Sequence, residues 1–447
     1  MQQKNEVMEI TTGRGSLGAV SAGALALATA AMAALGLLLA PRVYHNYDVV
    51  DCFLTWARAS GGRRPWDIYL TDFKTNCDYP PVVPYLLTLI EAARRALRAP
   101  EAGALAITLV KLPNLLAWLA AVPLCDRGLR RPFGDSVARG AALLSALSLP
   151  LFVNAAAWGQ FDALLTVLVM AAVVALLHER PAAAGALMGV ALGTKLLAIV
   201  ALPALAVWTW KRFGPLRLAR AVLAGLAVIT VLGVPYLVAG AGGRMLQAYA
   251  GAVDYYPVRT AEAYNGWYLL DRFDIAVRGI PAPLARLDSR SLIGPVTFRE
   301  AGVAAFAVYL LVLLVGLARR RAPAALVLAA ALSFFGFFML PTQVHQRYLV
   351  PAAAILGMTA AGSARRLALW AGVSLTAALN QTLDLARAVL DTAVRVDPVA
   401  ASTLSVPGYR GPIRTAACVV AVANIALFVW ATRDYWREVV PAPAAPE

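Results

Sequence analysis

The chain has 447 residues, 60% of them hydrophobic and 15% charged, where an average soluble domain has about 45–50% apolar and about 25% charged residues. That composition excludes an ordinary soluble enzyme and a disordered chain, and four cysteines are too few for a disulfide-framed secreted module. Forty Lys and Arg against 25 Asp and Glu give a net charge of +15; since the arginines punctuate apolar runs, this charge reads as membrane topology rather than affinity for nucleic acid, with positive loops held on the cytoplasmic side.

The first apolar run, Leu17–Ala40, follows Lys4 and Arg14 and leads straight into Pro41-Arg42. It is longer than a signal-peptide core and reads as an uncleaved first helix with a cytoplasmic N-terminus. Eleven further candidate spans follow at Gly103–Leu124, Gly140–Ala157, Ala163–Leu177, Ala182–Gly193, Leu196–Trp210, Leu216–Val238, Ala301–Leu317, Ala322–Leu340, Val350–Ala361, Leu367–Leu383 and Ile413–Ala431. Several fall short of the roughly 20 residues of a full span, and the break at Thr194-Lys195 suggests two half-length helices meeting at a polar point.

Between the first two spans, Asp78-Tyr79-Pro80-Pro81 opens an apolar run to Ile90 that turns basic at Glu91–Arg98. The apolar part is too short to span, and its amphipathic tail predicts an interfacial helix. Leaving it out of the spans places Arg127, Arg130, Arg131, Arg180, Lys211, Arg212, Arg319, Arg320, Arg321, Arg365, Arg366 and Arg433 in the cytoplasm, as short-loop charge requires. Both termini are then cytoplasmic. The outer side carries residues 41–102, a first loop with interfacial helices, residues 239–300, and loops at Trp158, His345 and 387–412. No repeat or linker divides residues 1–447. The expectation is an all-α polytopic membrane protein of about 12 transmembrane helices, located in the plasma or inner membrane. Cys52 and Cys77 share the first outer loop, where a bridge and two unrelated thiols are equal alternatives, while Cys125 and Cys418 read as core or boundary residues. Three histidines offer no metal-type spacing.

Nearly every specific polar cluster falls on the outer side, so the active face is expected there. Asp48 and Asp51 follow the first span closely; a helix through Trp56 would put them on one face, with Phe53, Leu54 and Trp56 dipping towards lipid. A carboxylate at that depth can act as general base on the hydroxyl of a lipid-anchored substrate, and solvated loop acids are the plain alternative. Asp78 precedes tandem prolines that launch a helix, as an outward-facing acid beside Tyr79 or simply as a helix cap. In the turn Trp158-Gly159-Gln160-Phe161-Asp162, tryptophan suits an interface and Gln160 and Asp162 can bond a sugar, although any short turn needs polar residues. Lys195 is an intramembrane cation whose natural partner is an anionic lipid headgroup, unless it snorkels or pairs with a carboxylate. His345 and Arg347 suit phosphate recognition, and Arg347 lies on the wrong side to be an orientation signal.

With the Gly193-Thr194-Lys195 break, Ala263-Tyr264-Asn265 and His345-Gln346-Arg347-Tyr348, these residues give the chain its resemblance to the GT-C glycosyltransferase superfamily. It is most similar to bacterial mannosyltransferase-like proteins related to the second mannosyltransferase of GPI-anchor assembly. The dolichyl-phosphate-glucose-dependent glucosyltransferases of N-glycan precursor assembly come next. The resemblance implies an inverting transfer of one sugar, mannose by analogy, from a polyprenyl-phosphate carrier to a lipid or glycan acceptor on the extracytoplasmic face. It further implies Asp48 as base with Asp51 its rival, Arg347, His345 and Lys195 on the donor phosphate, and Asp78, Tyr79, Trp158, Gln160, Asp162, Tyr264 and Asn265 around the substrates. Where the family pattern often has Glu, this chain has Gln346. A monophosphate leaving group can depart on protein cations alone, so no divalent metal is obligatory, though one is compatible with the chemistry. Membrane lipids are the surrounding partner and nucleic acid is not expected. A transporter or flippase of a lipid-linked saccharide is the rival reading, and a non-catalytic envelope-assembly partner a third.

Overall fold

The structure, a computed structural model, describes residues 20–73, 76–251, 256–320, 322–396 and 406–439. Lys4, Arg14, Leu17 and Arg321 lie outside the described residues, as do parts of the expected outer loops. Each of the twelve apolar runs coincides with helix in the described chain. Among the described residues, seven helices are long and apolar enough to cross a bilayer: Ala22–Leu39, Ala104–Gly128, Asp135–Trp158, Leu196–Phe213, Pro215–Val238, Phe298–Arg319 and Gly411–Val439. The only paired strands among the described residues form a hairpin of Ser291–Ile293 with Val296–Thr297.

Three apolar helices are shorter: Asp162–Leu177, Pro181–Thr194 and Pro323–Met339. At 1.5 Å per residue a 17-residue helix covers only about 26 Å, less than the hydrocarbon thickness of about 30 Å. Pro323–Met339 is nevertheless buried along almost its whole length. Helices such as Ala22–Leu39 and Phe298–Arg319, with Leu27 and Leu311 largely exposed, form the periphery. Residues at or just beyond the ends of the three shorter helices, Gln160, Lys195 and Phe337, line a cavity.

Apolar burial gives little drive between helices in lipid, so close packing must hold them. The Pro181–Thr194 and Pro215–Val238 helices show the consequence. A Cβ on Gly185 would stand 1.9 Å from the Ala221 carbonyl oxygen, and one on Gly189 2.6 Å from that of Gly225. Glycines four residues apart let the two backbones touch.

The two ends of the bundle differ in character. At one end meet the basic loops, with Arg212 3.6 Å from Glu179, Arg139 3.8 Å from Asp126 and Arg365 3.2 Å from Asp434. At the other, the segments around residues 45, 158–162, 195, 345–347 and 384 converge.

Three local expectations need correction, and one open alternative, the state of Cys52 and Cys77, is resolved. Asp48 and Asp51 do not share a face, because Tyr47–Leu54 is a π-helix. With turns closed i→i+5, Asp48 aligns with Cys52 and Phe53, and Asp51 is exposed. Phe53, Leu54 and Trp56 do not dip into lipid; they are 1–3% exposed and pack with Tyr79 and Phe161 inside the protein. Cys52 and Cys77 are both free and buried, so the bridge is not made. The segment 387–412 is mostly not loop, since helices extend to Val396 and resume at Val406. The Val82–Ala96 helix forms where an interfacial helix was expected, turns Leu87 and Ile90 inward, and buries Glu91 beneath Arg94 and Arg95 at 2.8 and 2.7 Å.

Candidate active site

Asp48 lies in the first turn of the π-helix. Trp158 Nε1 donates to its Oδ2 at 2.7 Å, and His45 Nδ1 lies 3.2 Å from the same oxygen. The His45 ring stacks on Trp158 with centroids 4.9 Å apart, and the His45 amide donates to the Trp158 carbonyl. Below them the fully buried Lys111 donates to the carbonyls of Val43, Ala156 and Ala157. This ammonium ties the chain entering the π-helix to the chain leaving for Trp158, so the two segments holding Asp48 cannot separate. Gly159 completes the junction. Its φ of +95° strains any L side chain, and a Cβ there would lie 2.8 Å from Val49 Cγ2.

Asp162 opens the Asp162–Leu177 helix, where the N-terminal dipole favours an acid. It is fully buried, 2.6 Å from Lys195 Nζ and 3.4 Å from Arg347 Nε, with Asn154 donating to it at 3.4 Å. Lys195 reaches it because the Pro181–Thr194 helix ends there: its backbone is extended, and a 3-10 turn Leu196–Ala201 follows. Lys195 also lies over the Tyr79 and Tyr348 rings at 5.8 and 5.3 Å. Arg347 stands in a second 3-10 turn, Gln346–Leu349, over Trp158 and Tyr348 at 5.9 Å each. Tyr79 donates its hydroxyl proton to Gln160 Oε1.

These groups surround one cavity of about 440 Å³, whose lining includes Asp48, Asp78, Tyr79, Gln160, Lys195, His345 and Arg347. The wall becomes apolar at Ile199, Val200, Val303 and Phe337. Ile199 and Val303 are 50% and 56% exposed, so the cavity has an apolar edge between the Leu196–Ala201 turn and the Phe298–Arg319 helix.

Burial would push the Asp48 carboxyl up, but the hydrogen bond and charge of His45, the charge of Arg347 and a hydrogen bond from Gln160 outweigh it. Its pKa falls well below the usual carboxylate range. Arg347 is likewise opposed by burial yet held firmly cationic by Asp162 and Asp48. Burial, then the charges of Arg347 and Lys195, push the His345 imidazole well below its usual pKa, so it is neutral. The cavity thus offers an ionised acid, a fixed guanidinium and a neutral imidazole.

Several expected site residues are placed elsewhere. Asp51 is exposed and does not line the cavity. Asp162 is consumed by two cations and presents nothing to a sugar. Trp158 is 1% exposed and holds Asp48 instead of facing an interface or a substrate. Asn265 caps the Gly266–Ala276 helix by accepting from Trp267 and Tyr268, while its amide donates to Phe338 O at 2.8 Å. The Tyr264 backbone is fixed by Asn380 and Asn424, and its side chain borders a separate cavity. Lys195 does line the cavity, with its charge matched by Asp162.

His45, Lys111 and Arg299 were missed. Lys111 carried a readable signal, being a lysine within the predicted span Gly103–Leu124. Arg299 lies in the first turn of a helix capped by Thr297 and Glu300 and grips Asp288 at 3.0 and 3.2 Å. Asp288 also accepts from Thr342 and Gln343 at 3.0 and 2.8 Å, which ties the outer loop to the His345 segment. Among the described residues no group of three or more His, Cys, Asp or Glu converges as a metal-ligand set.

Residues 78–342, more than half of the chain, match the family model described as glycosyltransferase family 87. Among solved structures, ArnT from Cupriavidus metallidurans bound to undecaprenyl phosphate aligns with 92% of this chain and 77% of its own, at 16% identity and a TM-score of 0.48. The Archaeoglobus fulgidus oligosaccharyltransferase in its apo form aligns with 94% of this chain and 56% of its own, at 12% identity and a TM-score of 0.41. No curated protein matches the sequence.

Proposed function

The chain belongs to glycosyltransferase family 87, and from that premise we propose that it is an inverting, GT-C-type enzyme transferring one sugar from a polyprenyl-phosphate carrier to an acceptor hydroxyl. The observation that carries this reading is the pairing of ionised Asp48 with cationic Arg347 on one cavity whose far wall is apolar. A polyprenyl-phosphate sugar has the same polarity profile: its isoprenoid chain suits the edge at Ile199 and Val303, and its phosphate suits Arg347 and the neutral His345. The ArnT structure is described as bound to undecaprenyl phosphate, a lipid phosphate of this chemical class.

In this reaction Asp48 takes the proton of the acceptor hydroxyl as its oxygen forms the new bond to the anomeric carbon. The bond from that carbon to the carrier phosphate breaks on the opposite face, and the phosphate leaves with the electron pair, its added charge met by Arg347. General-base assistance is worth about 10²–10⁴ in rate, and a fixed cation at the leaving group adds a comparable factor. Trp158 and His45 hold the Asp48 oxygen, while Asp162, itself paired with Lys195, holds Arg347. Protein cations suffice for a monophosphate, so transfer is expected to persist in EDTA; full loss restored by manganese would overturn this.

The proposed sidedness, an extracytoplasmic cavity with cytoplasmic termini, is supported by the basic short loops at the end opposite the cavity and the positive-inside rule. Mannose is the proposed sugar, by resemblance. The transporter reading loses its main support, because Asp162 neutralises the Lys195 break and the cavity sits at one end of the bundle. The deciding experiment supplies radiolabelled polyprenyl-phosphate mannose and polyprenyl-phosphate glucose to the purified chain in proteoliposomes. Release of free polyprenyl phosphate with label in a glycosylated product supports transfer; movement of intact donor across the bilayer without such release refutes it.

A further inference from the structure

A second cavity of about 240 Å³ lies beside the first, and its chemistry is different. It is walled by Glu262, Tyr264, Tyr268, Asp271, Ile413 and four arginines, Arg272, Arg286, Arg387 and Arg414. The two carboxylates are already engaged: Glu262 pairs with Arg286 at 2.7 Å, and Asp271 with the fully buried Arg259 at 2.6 Å. Arg387 is held by Asp384. Arg272 and Arg414 have no ion-pair partner among the described residues; Arg272 lies over the Tyr268 ring at 5.6 Å, with its Nε buried and unbonded. Two guanidiniums without an ion pair among the described residues, set in a concave polar site, have the chemistry of an oxyanion receptor, since planar forks grip phosphate or carboxylate in pairs of charge-assisted bonds.

The position of this receptor matters as much as its charge. Ala261 and Glu262 each form a backbone bridge with His345. Gln346, between His345 and Arg347, donates to Asp384 at 2.6 Å, and Asp384 in turn grips Arg387. The wall of the second cavity is therefore continuous with the segment that lines the first. An anion seated there stands next to the Asp48 cavity but apart from its Arg347 phosphate position.

We infer that the second cavity binds an oxyanion, phosphate or carboxylate, carried by the acceptor, so that the enzyme selects an anionic acceptor. The word acceptor rests on the transferase reading; the anion site does not. The test therefore measures binding before turnover. The full chain is purified in nanodiscs, and native mass spectrometry and calorimetry compare wild type, Arg272→Gln/Arg414→Gln and the charge-keeping Arg272→Lys/Arg414→Lys. The probes are phosphatidylglycerol against phosphatidylcholine for a lipid headgroup, and glucose 1-phosphate against glucose for a soluble glycan phosphate. Polyprenyl phosphate, which the transferase reading assigns to the first cavity, is the fold control.

The expected result is preferential binding of one anionic probe by wild type, weakened tenfold or more in the Gln pair and largely kept in the Lys pair, with polyprenyl-phosphate affinity unchanged throughout. Phosphatidylglycerol as that probe assigns a lipid acceptor, and glucose 1-phosphate a phosphorylated glycan. Equal binding of anionic and neutral probes, or equal binding by wild type and the Gln pair, overturns the inference. Anion binding in a protein that transfers no sugar would keep the site and discard the enzyme reading, so the two failures are distinguishable.

Discussion

Replacing Asp48 with Asn removes one charge and almost nothing else. The amide has the same shape, and its oxygen can still accept from Trp158 Nε1, which is 2.7 Å from the present Oδ2. The fold around His45 and Lys111 should therefore survive. Chemistry should not, because the amide cannot take the hydroxyl proton. Loss of a general base costs about 10²–10⁴ in kcat, or roughly 3–5 kcal/mol of barrier at about 1.4 kcal/mol per tenfold. The donor KM should stay level or fall, because Arg347 loses one of the two carboxylates that share its charge. Asp51→Asn, on the exposed side of the π-helix, should remain within about twofold of wild type, as surface changes usually do. The assay is single-turnover transfer in proteoliposomes, with indole fluorescence and thermal unfolding as fold checks. A folded Asp48→Asn enzyme turning over within tenfold of wild type would refute the reasoning, and a raised KM at unchanged kcat would make Asp48 a binding group. The depressed pKa has a signed consequence as well. Stability from the Asp48 carboxylate is present above its unfolded value near 3.9 and is lost only as pH falls below the usual carboxylate range through the folded value. No acidic limb from this residue should appear in kcat/KM between pH 4 and 7 on that scale.

Arg347→Lys should raise the donor KM by an order of magnitude with a smaller loss in kcat, since a point charge does not replace a planar fork; unchanged donor affinity in a binding titration would move the phosphate elsewhere. Asp162→Asn should destabilise the protein by about 3–5 kcal/mol by leaving two buried cations short of a counter-charge. Adding Lys195→Met should recover part of that loss, and thermal unfolding that found the two changes additive would deny the coupling seen at 2.6 Å. Gly185→Val should prevent a monodisperse fold in detergent, because even a Cβ meets the Ala221 carbonyl oxygen at 1.9 Å; normal size-exclusion behaviour would show that the two helices can part.

The helices were readable because apolar length is a property of consecutive residues, and within the described residues each of the twelve runs coincides with helix. What surrounds the cavity was readable as residue types at turn positions: Asp48, Asp78, Gln160, His345 and Arg347 meet there. Their partners were not. Asp162 looks like any polar turn residue until Lys195 and Arg347, distant in the chain, fold onto it. Asn265 capping a helix and asparagine binding a sugar have the same one-letter signature. The π-helical register of Tyr47–Leu54 depends on backbone bonds that side-chain spacing does not report, so Asp51 looked equivalent to Asp48. Lys111 was legible as a lone cation in a span, but its three carbonyl partners come from two remote segments.

The apolar edge at Ile199 and Val303 changes the units in which this enzyme must be studied. On the proposed reading the donor arrives sideways through this edge and is encountered by diffusion in two dimensions, so velocity should track its mole fraction among lipids rather than its molarity in the tube. Adding carrier-free vesicle lipid at constant amounts of everything else should slow the reaction, and adding buffer should not. Spent carrier would leave by the same route and accumulate in the same plane, competing for the cavity until something else in the bilayer removes it.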